Sequence, residues 1–69
     1  MDKKRALEVA VVALEDRIFN CYGEFAELKA LMAGTASDRV AVAGEFCGDD
    51  TDGGEWLLEL CDAYRMLKA

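Results

Sequence analysis

The sequence predicts an all-α protein in which a long N-terminal helix packs against one or two shorter C-terminal helices, the whole assembled as a helical homodimer. Three observations carry this. Leu7, Val11, Leu14, Ile18, Cys21, Phe25, Leu28 and Met32 recur at alternating spacings of four and three, the a/d period of a helix that packs lengthwise on another. Leu57, Leu60, Cys61, Tyr64 and Leu67 form a second helical stripe near the C-terminus. Finally, a 69-residue chain makes one domain whose single core gives only marginal stability, so a partner chain is the natural source of further buried surface.

The first element spans residues 3–33. Asp2 is placed to cap it, although Lys3, Lys4 and Arg5 in the first turn oppose the helix dipole, and Glu8 offsets them locally at i,i+3 and i,i+4. Val12, Phe19 and Ala26 form a second apolar row beside the seam, wide enough to touch two neighbours. Gly23 costs about 1 kcal/mol relative to alanine inside a helix. Either it breaks the rod or it admits another backbone at a crossing, and continuity is the expectation because the a/d phase passes through it unchanged. A continuous helix would be about 45 Å long, and the last helix covers only roughly half of that. The remainder of the seam is what calls for the second copy. Gly34 ends the element as a left-handed cap.

A short helix is expected over residues 36–47, with a capping signal in Thr35–Asp38. Val40 and Val42 also alternate like a strand, but a lone strand would have nothing to pair with. Residues 48–53 form an acidic, glycine-rich loop, and residues 54–68 the last helix, capped by Thr51 or Asp52.

Net charge is −6, and Val40 to Asp62 holds seven acidic residues and no basic one. Phosphate contacts need a lysine or arginine footprint, so direct nucleic-acid binding is disfavoured and a partner with a basic surface is expected. The apolar run after Lys3-Lys4-Arg5 is interrupted by Glu8 and followed by Glu15, Asp16 and Arg17, which is not the pattern of an export signal. No run approaches the roughly 20 apolar residues of a membrane span, so a cytoplasmic location is expected. Cys21, Cys47 and Cys61 are odd in number, form no C-x-x-C pair and have no histidine beside them, which points to buried hydrophobes rather than a disulfide framework or a structural metal.

No catalytic, cofactor or metal motif emerges, and an enzyme is not expected. One alternative is a calcium-responsive module: with Gly53 at the loop glycine, Asp50, Asp52 and Glu59 fall on ligand places, while Gly48 stands where the first carboxylate belongs. Binding is expected through interface residue types instead. Trp56, Tyr64, Arg39 and Phe46 are the partner-binding candidates, each weighed against core packing or local pairing.

In length, acidity and helical pattern, the whole chain resembles the small phage-encoded inhibitors of host proteins. It is most like the phage anti-activators that block a quorum-sensing transcription regulator. The resemblance implies a non-enzymatic protein that binds and inhibits a host protein in the host cytoplasm. A second functional expectation is an anti-defence, anti-CRISPR-like inhibitor whose acidic segment mimics nucleic acid.

Overall fold

The apolar seam between Lys3 and Ala33 does not make one rod. In the computed structural model, which describes residues 1–68, the chain forms α1 (Lys3–Tyr22), α2 (Ala26–Ala33), α3 (Arg39–Cys47) and α4 (Thr51–Lys68), with no strand among the described residues. The expectation of a continuous first helix is overturned at Gly23, whose φ of 90° and ψ of 162° lie in a region essentially reserved for glycine. A Cβ there would stand 2.6 Å from the Phe25 ring. The a/d spacing concealed the break for a simple reason. Residues 23–25 take up about one helical turn of sequence, so both helices keep the phase that a single core demands.

Local signals set the other boundaries. Asp2 Oδ1 accepts the Arg5 amide at 2.7 Å and caps α1. Gly34, at φ 79° and ψ 20°, closes α2, with the Thr35 amide reaching back to the Ala30 carbonyl at 2.9 Å. The third helix starts at Arg39 rather than residue 36, because Asp38 is itself the cap and accepts the Ala41 amide at 3.1 Å. The fourth starts at Thr51, three residues before the expected 54. Asp50, rather than Thr51 or Asp52, accepts the Gly53 amide at 2.9 Å and draws the second half of the predicted acidic loop into the helix.

All three other helices pack on α4. Tyr64 and Lys68 lie beside Glu15 of α1, whereas Tyr22 at the far end of α1 lies near Cys61, so α4 runs antiparallel to α1. The Arg39–Asp62 pair at one end and the short connection through Gly48 at the other make α3 and α4 an antiparallel hairpin. The core is Ile18, Leu28, Leu31, Met32, Ala43, Leu57, Leu60, Cys61 and Tyr64.

Of the predicted seam, Ile18, Leu28 and Met32 are spent inside this core and Val11 and Leu14 are half-buried against it. Leu7 is 44% exposed, Phe25 is 54% exposed, and Cys21 is also exposed. The seam is thus no intact face for a second chain. Its buried half is closed by α2, α3 and α4 of the same molecule.

Three variants check this architecture. Gly23→Ala is expected to cost about 1–3 kcal/mol by urea denaturation through backbone strain and the Phe25 clash. Gly44→Ala, in open space within α3, should instead stabilise by up to about 1 kcal/mol. Ile18→Asp places an uncompensated carboxylate at a fully buried position and should unfold the chain, read as loss of helical circular dichroism.

Candidate functional site

The side chains best placed to recognise a partner are aromatic and acidic. The Gly23 turn sends Phe25 back over the C-terminal half of α3, where its ring lies 6.0 Å from that of Phe46. Tyr22 meets Phe46 edge-on at 6.3 Å, completing a three-ring cluster. Burial raises the Tyr22 phenol above its usual range, and the nearby Cys47 and Cys21 thiols add to the rise. Tyr22 and Phe46 are half-buried while Phe25 stands half out of the surface. Glu24 and Glu45, each next in sequence to one of these phenylalanines, are exposed.

Trp56 rises from the second turn of α4 and is 52% exposed. Asp52 and Glu59 lie one helical turn to either side of it and Glu55 directly precedes it, all exposed. The seven carboxylates between Val40 and Asp62 are solvent-facing without exception, and among the described residues only Asp62 is engaged by a cation. That cation is Arg39, whose Nη2 donates to Asp62 Oδ1 at 2.6 Å across α3 and α4. Both side chains are exposed, so the pair contributes little stability.

Tyr64 does not belong with these groups. Its ring is in the core, and its hydroxyl donates to Glu15 Oε2 at 2.9 Å while accepting from Lys68 Nζ at 2.9 Å. The hydrogen bond to Tyr64 holds the Lys68 ammonium above its ordinary range. This chain of groups borders an open groove of about 990 Å³ between α1, α2 and α4, with Phe19, Met32 and Met66 as apolar lining. Carboxylates of Glu15, Glu24 and Asp62 and cations of Lys29, Arg65 and Lys68 all reach it, so its charge balances.

Comparison of the chain with protein-family models, curated proteins and solved structures gives no match. The four sequence candidates divide accordingly on geometry alone. Trp56 and Phe46 lie on the aromatic and acidic surface, Arg39 is turned into an ion pair with a distant residue, and Tyr64 is a core residue with a structural hydrogen bond. Phe25 was hidden from sequence reasoning because its a/d spacing marks it as seam, and the positive φ that redirects it is signalled only by Gly23. The calcium-loop alignment fails on geometry: residues from Thr51 onward are helical, and Asp50 is committed as an N-cap.

The cysteines differ enough to be told apart chemically. Burial, then the Asp62 charge, pushes the Cys61 thiol from 9.0 up to about 11, while Cys21 is exposed. Iodoacetamide at mildly alkaline pH should label Cys21 first, and Cys61 only on unfolding, as read by peptide mass spectrometry. Between pH 9.0 and about 11 the unfolded chain loses the Cys61 proton and the folded one keeps it, so stability should fall as pH rises through that window.

Proposed function

We propose that the protein is a non-enzymatic inhibitor that binds and sequesters a host transcription regulator of the quorum-sensing class, acting as a homodimer in the host cytoplasm. The observation that supports this reading is the pairing of half-exposed aromatics, Phe25 and Trp56, with exposed carboxylates that have no cationic partner among the described residues. Aromatic side chains give a rigid apolar anchor at low entropic cost, and an acidic surround steers toward a partner that is basic, as DNA-binding proteins are. The overall resemblance in size, charge and helicity to phage anti-activators points the same way. No helix among the described residues is long and apolar enough to cross a membrane.

A second reading, mimicry of the nucleic acid bound by a host defence complex, draws on the seven exposed carboxylates of residues 45–62. The two differ in what carries the energy. A mimic replaces phosphate contacts and should lose affinity steeply with salt, by about a thousandfold or more between roughly 50 and 200 mM. Aromatic anchoring should change only a few-fold over the same range.

The test is a promoter-binding gel shift with a purified quorum-sensing regulator. Added protein should abolish the regulator–DNA complex, and Phe25→Ala and Trp56→Ala should each raise the concentration required by about tenfold or more, with helical circular dichroism retained. Undisturbed DNA binding at saturating protein would refute the anti-activator reading.

A further inference from the structure

The α1 helix has a second stripe, on the side turned away from the core. Arg5, Val9, Val12 and Asp16 follow at spacings of four, three and four and share one face, opposite to the one that bears Val11, Leu14 and Ile18. Val9 is 43% and Val12 59% exposed, and with Glu8 and Ala13 the stripe lines a shallow concavity of about 270 Å³. Its composition is self-complementary. About a point midway between Ala10 and Val11, Arg5 and Asp16 are equidistant, as are Val9 and Val12, and Glu8 and Ala13.

We infer that this outer face of α1 is where a second copy of the chain docks, the two α1 helices running antiparallel across a two-fold axis. That axis sets Arg5 of each copy against Asp16 of the other and Val9 of each against Val12 of the other. Asp16 makes no ion pair among the described residues. Arg5 pairs only with Glu8, at 3.3 Å with both side chains well exposed, a contact too weak to compete with an interface. The opposite arrangement, parallel helices in register, would stack Arg5 on Arg5 and Asp16 on Asp16. Charge therefore selects the antiparallel pair. Two faces of about three turns each bury on the order of 1,000 Å² or less, the size class of weak, concentration-dependent association. The inference rests on the homodimer part of the proposed function and is independent of its inhibitory part.

Sedimentation equilibrium on the full chain, from about 10 µM to about 1 mM at low salt, tests it. Wild type should dimerise, and Val12→Glu, R5D and D16R should each weaken the dimer by about tenfold or more with helicity unchanged. An equimolar mixture of R5D and D16R chains should regain wild-type affinity, because their heterodimer has opposite charges at both ends. Leu7→Glu, on the other side of the helix, should have no effect. A dimer disrupted by Leu7→Glu and indifferent to Val12→Glu, or a mixture that fails to recover, would overturn the assignment of this face while leaving the homodimer standing. A wild-type monomer throughout would remove both, and the gel shift would still judge the inhibitory reading on its own.

Discussion

Burial of the α4 stripe is the constraint on which the rest of the molecule depends. Leu57 and Cys61 are wholly enclosed, with Leu60 and Tyr64 close to it, and α1, α2 and α3 each pack on this one helix. A chain this small has no second core to fall back on. Each of the other helices has to bring its apolar side chains to the same place, Ile18 from α1, Leu28, Leu31 and Met32 from α2, and Ala43 from α3. What each helix leaves over is then set by geometry. Among the apolar surfaces that this arrangement does not consume are the outward face of α1, Trp56 in the early turns of α4 and the ring of Phe25, with Val40 on α3 and Met66 near the end of α4 also exposed.

The glycine hinges connect that constraint to the surface. Beyond Gly23, Leu28 and Met32 enter the core from a helix of their own, α2. The turn at positive φ brings them back onto α4 and, in the same movement, sets Phe25 against Phe46. Gly34 works similarly at the other end of α2. A Cβ there would lie 2.5 Å from the Arg65 guanidinium, so the absent side chain lets that cation sit over the helix C-terminus, where the dipole favours it. The turn at Gly23 thus shapes both the core and the aromatic surface.

The candidate site was legible only in part. Trp56 and the acidic stretch could be found from residue type and position, but core packing was the ordinary expectation for the Trp56 ring, and its 52% exposure was decided by the tertiary structure. Tyr64 belonged to its stripe and went into the core with it. Arg39 found Asp62, 23 residues away, in preference to nearby acids, because the α3–α4 hairpin brings the two together and local spacing does not. The groove bordered by Glu15, Lys29, Arg65 and Lys68 had no sequence signal at all, since its members come from three helices.

The sequence by itself determined helicity, the caps at Asp2 and Gly34, and the buried stripe of α4, since these depend on interactions within a few residues or on one helical period. It also determined the acidic character of the C-terminal half. Tertiary structure alone decided whether the seam from Leu7 to Met32 served a second chain or the chain's own core. Periodicity records that a face is apolar and is silent about what covers it. That choice rests on non-local contacts with α4, made possible by one glycine whose break costs the pattern no phase.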